Sequence, residues 1–359
     1  MSGTFHRRRV PVLALGFVSL VAGLAAGLGR LGWVTPEPVG GLLAVHGPLM
    51  VSGFLGAVIG LERAVALQAR PAYVAPVLAG AGGLLLIVGS PGAAALLTLS
   101  SLGLLASSVA IVGRQRALFT VTMAGGAACW AVGNLLWTLG RPIPDAVPWW
   151  MLFLVLTIAG ERLDLSRLMR PSRLGPPLFI AIVAVLVAGA AISVFETALG
   201  VGIMGGGMVA LALWFARFDI ARRTVRMPGL TRYVAVCLLT GYVWLAVGGA
   251  LAMAAADAQA GPLYDATLHA VFLGFVFSMI FGHAPIILPA VLGLGVPFGP
   301  GLYAPLVVLT GSLAVRIIGD LGDADTLRLW GGLGGALAIV LFIGLTAATV
   351  RRGRRSRRG

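Results

Sequence analysis

Three histidines stand inside long apolar stretches of this 359-residue chain, and theirs are the side chains whose type and spacing could do chemistry. His46, in Val45-His46-Gly47-Pro48-Leu49-Met50, lies about seven residues into one stretch, roughly 10 Å from its outer end at the helical rise. His269, in Asp265-Ala266-Thr267-Leu268-His269, lies about six residues into another that enters from the same side, so the two imidazoles are expected at one depth. Two neutral imidazoles at one level across a helix bundle are what axial ligation of a haem iron requires, and copper is the other metal imidazole suits. Gly47, Gly53 and Gly274 beside them would leave room for a flat macrocycle. Asp265, four residues before His269 on the same helix face, is placed to accept from that ring and orient it. The plain alternative is that each histidine hydrogen-bonds a neighbouring helix.

His283 follows His269 by fourteen residues, returning to nearly the same face about 21 Å deeper. A second metal there needs a partner; only Met123 or Met204 offers one, and a thioether is as often plain packing. With Pro285 and Pro289 immediately after it, His283 is expected to brace a broken helix end, with metal ligation as its other reading. Asn134, between Trp130 and Trp137, could donate to a haem propionate or to another helix. Glu62-Arg63 and Glu161-Arg162 are expected to pair or snorkel at helix ends, and Arg316 to pair with Asp320 four residues on.

Positioning these residues falls to membrane helices. The chain is 59% hydrophobic and 11% charged, with a mean hydropathy of +1.00, which describes a lipid-solvated protein. Apolar runs fall at 10–29, 39–61, 72–89, 93–112, 117–139, 146–161, 174–195, 197–216, 231–256, 263–290, 302–319 and 327–350, so the expected architecture is a single all-α membrane domain of about twelve helices. The opening His6-Arg7-Arg8-Arg9 and its apolar run resemble a secretory signal, but the run is long enough to span and is read as the first helix. Every basic residue is an arginine; with the amino terminus inside, 22 fall in cytoplasmic segments, including the tails at 1–9 and 351–359, and only Arg30, Arg141, Arg316 and Arg328 fall outside. The net charge of +14 therefore records topology in a bacterial inner membrane and does not imply a nucleic-acid partner. Cys129 and Cys237 sit within apolar runs, which argues against a disulfide framework or a cysteine zinc site. No phosphate-binding loop or Ser-His-Asp set is readable.

The second run ends Ile59-Gly60-Leu61-Glu62-Arg63 and the sixth Ile158-Ala159-Gly160-Glu161-Arg162, an echo four helices apart that hints at three arcs of four. At His46-Gly47-Pro48-Leu49-Met50 the chain resembles the His-Gly-x-x-Met motif on the second helix of haem-copper oxidase subunit I. That resemblance implies a low-spin, b-type haem ligated by His46 and by His269 on helix ten, with Gly47 and Met50 in the haem-binding segment and twelve helices in three arcs. The oxidases' copper histidines on helices six and seven have no counterpart between Asp145 and Leu199, so a complete terminal oxidase is not implied. The stretch from Leu268-His269-Ala270 to Phe281-Gly282-His283 also looks like the paired-histidine helix of the NnrS-like haem- and copper-containing membrane proteins, associated with nitric oxide stress, although its spacing is shorter. The expected role is electron transfer or handling of nitric oxide or dioxygen, alongside a redox partner or another membrane subunit. The rivals are a permease using the same histidines and a structural or assembly subunit.

Overall fold

A computed structural model describes residues 9–34, 36–166 and 173–355; His6, Arg7, Arg8, Arg167 and Arg170 lie outside the described residues. The described residues form helices and no strands. Twelve of the helices are long and apolar enough to cross a membrane: Val10–Arg30, Leu43–Leu67, Arg70–Ile87, Ala93–Arg114, Leu118–Thr138, Ile143–Leu165, Gly175–Ser193, Thr197–Phe218, Gly229–Ala254, Gly261–Leu292, Pro300–Leu321 and Asp325–Arg352. The protein is a multi-pass all-α membrane protein whose apolar outer faces contact lipid, and these helices are called the first to twelfth spans below.

The chain divides into two compact units, the first comprising Met1–Glu161 with Pro289–Leu294, the second Arg162–Leu288 with Gly295–Gly359. In the first unit the first span packs on the second and third, the third on the fourth, and the fourth on the fifth. The fifth and sixth approach through glycines: a Cβ on Gly126 would stand 3.0 Å from the Phe153 carbonyl, and one on Gly160 2.9 Å from that of Phe119. In the second unit consecutive spans pack in turn from the seventh to the twelfth, again on glycines such as Gly189 against Met204 and Gly205 against the Gly249 carbonyl. Lipid gives helices no hydrophobic reason to associate, so close backbone approach and hydrogen bonds must do so.

The sixth span exceeds its apolar run at both ends. Its first turn is closed by the pair Arg141–Asp145 at 2.8 Å, and its charged end is neutralised by ion pairs of Glu161 and Arg162, so charge does not stop the helix. The tenth span also runs on where a break was expected, passing through Pro285 and Pro289 to Leu292. Pro285 has no N–H to give the Phe281 carbonyl one turn earlier, and the hydroxyl of fully buried Tyr233 donates to that oxygen instead, at 3.2 Å.

Candidate functional site

His46 belongs to the first unit, where the first span holds it. The ring donates from Nδ1 to the Gly23 carbonyl at 2.7 Å. A Cβ on Gly27 would stand 2.8 Å from His46 Cε1, and one on Gly23 2.6 Å from Met50 Sδ. Gly23 and Gly27, a small-xxx-small pair one turn apart, are thus the platform on which both His46 and Met50 lie. That platform went unread in the sequence, although its spacing was there to find. Of the glycines expected to make room, only Gly47 faces open space; Gly53 is packed against Ser19 and Gly83, and Gly274 against Trp244 and Leu313, because helix contact claims those surfaces.

His269 belongs to the second unit. Its Nδ1 donates to the Asp265 backbone carbonyl at 2.9 Å and lies 3.3 Å from the carboxylate Oδ1 of the same residue, the placement expected of Asp265. The other carboxylate oxygen is clamped by Arg316, with Nε at 3.0 Å and Nη2 at 2.7 Å. The expected pair within the eleventh span therefore does not form: Arg316 reaches across to the tenth, while Asp320 accepts from Arg328 Nε of the twelfth at 2.7 Å. Two interhelical bonds onto one half-buried carboxylate outcompete an i,i+4 pair, which is weak wherever it is found.

Both histidines adjoin the same uncommon conformation. Leu49–Leu55, after His46-Gly47-Pro48, and Ala270–Phe277, after His269, are π-helical. Pro48, which lacks an N–H, helps explain the first widening; nothing local in the second stretch explains it. Such turns are rare, and they recur at functional sites. The depth expected from the apolar runs is altered along the helices: residues 39–42 do not join the second span, so His46 is its fourth residue, whereas His269 is the ninth of the tenth span.

His283 was expected to brace a broken helix end, but the helix runs on unbroken, and the ring is instead engaged at both nitrogens. Nδ1 donates to the Met279 carbonyl at 2.7 Å, and Nε2, the nitrogen a metal would need, accepts from Arg162 Nη1 at 3.1 Å. Arg162 also gives Nε to Asp219 at 3.0 Å, with both side chains inaccessible, so Arg162 pairs as expected but does not snorkel. Asp219 in turn accepts from the Ala221 N–H, completing a buried Asp-Arg-His chain. Met123, the thioether considered for an inner ligand, receives Arg63 Nη1 at 2.9 Å, and Met204 packs on Gly189. Arg63 also joins Glu62 and Glu161, so the two Gly-Glu-Arg echoes meet in one ion cluster.

Asn134 serves helix packing. Its Oδ1 accepts from Ser52 at 3.0 Å and Trp150 at 2.9 Å, its Nδ2 donates to the Leu97 carbonyl, and Trp130 donates to Ser52. The cysteines are free and buried, and the described residues contain no group of three or more His, Cys, Asp or Glu arranged to hold a metal by themselves.

Chemically, the arrangement offers two imidazoles whose protonation is set by backbone acceptors. A carbonyl can only accept, so Nδ1 carries the hydrogen in both rings and the lone pair of the neutral imidazole sits on Nε2, the tautomer that metal-binding histidines use. Compared with known proteins, the chain matches no curated protein and no solved structure. A family model matches residues 9–351, nearly the whole chain, and the protein accordingly belongs to the family described as Domain of unknown function (DUF8744).

Proposed function

We propose that this is a membrane haem protein in which His46 and His269 supply imidazole ligands through Nε2. The observation that carries this reading is the shared device at both residues: Nδ1 anchored on a backbone carbonyl, at 2.7 Å and 2.9 Å, with a π-helical stretch beginning within three residues. Gly47, beside His46, is not packed against another helix. Asp265, held by Arg316, fixes the plane of the His269 ring, as an acceptor behind a metal-ligating imidazole does. A b-type haem there would supply one-electron transfer or binding of a small diatomic molecule such as nitric oxide or dioxygen; copper is the alternative metal. Neither a complete oxidase nor an inner haem fits, since the copper histidines are missing and His283 Nε2 is engaged by Arg162. The arginine distribution supports a bacterial cytoplasmic membrane with both termini inside, where a redox partner or a second membrane subunit would exchange electrons.

A second reading, a proton-coupled permease, is favoured by the buried charges Asp265, Arg316 and Asp320 within spans, since ionisable residues in a bilayer mark solute and proton paths. Titrating purified, haem-depleted protein with haemin separates the two. The haem reading expects saturable binding with a sharp Soret band that Imidazole-deleting His46→Ala or His269→Ala weakens at least tenfold in affinity. A colourless protein whose solute uptake still needs both histidines would establish the permease instead.

A further inference from the structure

The connection between the eighth and ninth spans, 219–228, has one acidic side chain, and that one is spent. Asp219 is buried, with Oδ2 accepting from Arg162 Nε at 3.0 Å and Oδ1 from the Ala221 N–H at 2.7 Å. Ala221 is itself fully buried, and the turn after it is closed by the N–H groups of Arg223, Val225 and Met227 on the carbonyls of Ile220, Ala221 and Thr224. From this pinned backbone Arg222 and Arg226 stand exposed, flanked by exposed Arg217 at the end of the eighth span and Arg232 in the first turn of the ninth. None of these four arginines is ion-paired among the described residues. Their places are set by other contacts. Arg222 Nη1 donates to the Arg217 carbonyl at 3.0 Å, Arg232 Nε donates to the Met227 carbonyl at 3.1 Å, and the Arg217 guanidinium lies 5.2 Å from the Phe218 ring centre. The two spans pack on each other, so the four cations share one end of the second unit.

Apolar surface lies beside this charge. Leu213, one turn before Arg217 on the same helix face, is 64% exposed, and Val243, three turns beyond Arg232, is 62% exposed. A phosphodiester carrying acyl chains complements both features, with its anionic oxygens on guanidinium donors at the span ends and its chains along the spans. Topology asks for arginines in such a connection, but it does not ask that their backbone be fixed by a buried ion pair. We propose that Arg217, Arg222, Arg226 and Arg232 bind the headgroup of an anionic phospholipid whose chains lie along the Leu213 face. The leaflet at this end of the spans supplies the lipid, and the orientation proposed above makes it the cytoplasmic one. The site owes nothing to the haem reading, since none of its residues touches either candidate ligand.

Native mass spectrometry of the full-length protein in detergent, titrated with phosphatidylglycerol or with phosphatidylcholine, tests it. The wild type should bind phosphatidylglycerol at least tenfold more tightly. An arginine beside an anionic headgroup is worth about a fivefold change in affinity, so the combined variant Arg217→Gln, Arg222→Gln, Arg226→Gln should lose that preference. Arg351→Gln with Arg352→Gln, at the end of the twelfth span, should keep it. Inorganic phosphate at the lipid's concentration should not displace the lipid. A wild type without preference overturns the proposal however the variants fold. So does a preference that survives the triple substitution, or displacement by inorganic phosphate, which would make this a site for a soluble anion.

Discussion

The two units satisfy their buried polar groups differently. Midway through the first unit, Ser52, Trp130, Asn134 and Trp150 close on one another and on the Leu97 carbonyl, so the second, fourth, fifth and sixth spans share one hydrogen-bonded centre. Trp130 is further stacked on Phe153, with centroids 4.9 Å apart. In the second unit Ser278, Thr310 and Thr346 bury hydroxyl oxygens that meet no partner in the described residues, not even the carbonyl one turn back that Thr157 and Thr349 use in their own spans. Gly274 packs on Leu313, and the antiparallel run of the tenth and eleventh spans brings Ser278 and Thr310 to one level from there. The middle of the first unit is thus held by a neutral hydrogen-bonded network, with its ion pairs at the span ends. The second also carries ion pairs at its span ends, but the hydroxyls of Ser278, Thr310 and Thr346 do not join a comparable network among the described residues.

That contrast can be broken in four places. The largest effect belongs to Arg162→Met, which strands Asp219 and the His283 acceptor in a dry site; a loss of about 3–5 kcal/mol is expected, read as a steep drop in thermal unfolding temperature in detergent. Asn134→Leu comes next, at about 3 kcal/mol, because Ser52, Trp150 and the Leu97 carbonyl all lose a partner together. A paired comparison follows. Ser52→Ala removes two bonds and should cost about 1–2 kcal/mol, whereas Ser278→Ala deletes an unpartnered hydroxyl and should fall within about 0.5 kcal/mol of wild type or stabilise slightly. Equal losses from the two serines would mean that Ser278 is bonded after all, and the contrast between the units would fail.

All twelve spans were legible, because burying backbone in lipid demands long apolar helices and every run but the short sixth, 146–161, supplied nearly the full length. Ends were less legible: residues 143–145 and 162–165 extend the sixth span because their charges find partners, and partners are a property of the folded molecule. Histidines could be picked out by their cost in a membrane, and Asp265 by its four-residue spacing. Arg316 could not be assigned, since the same spacing argument favoured Asp320 and only the register of the tenth and eleventh spans decides for Asp265. Neither π-helical stretch was foreseen; Pro48 hints at one, and Ala270–Phe277 carries no breaker at all.

The reading of both histidines as ligands meets its most direct trial in a reduced-minus-oxidised difference spectrum of the purified protein. Wild type and His283→Ala should both give the sharp Soret and visible bands of low-spin haem, and His46→Ala or His269→Ala should each abolish them. A flat spectrum from haem-replete wild type, or bands that persist through both of those substitutions, would contradict it.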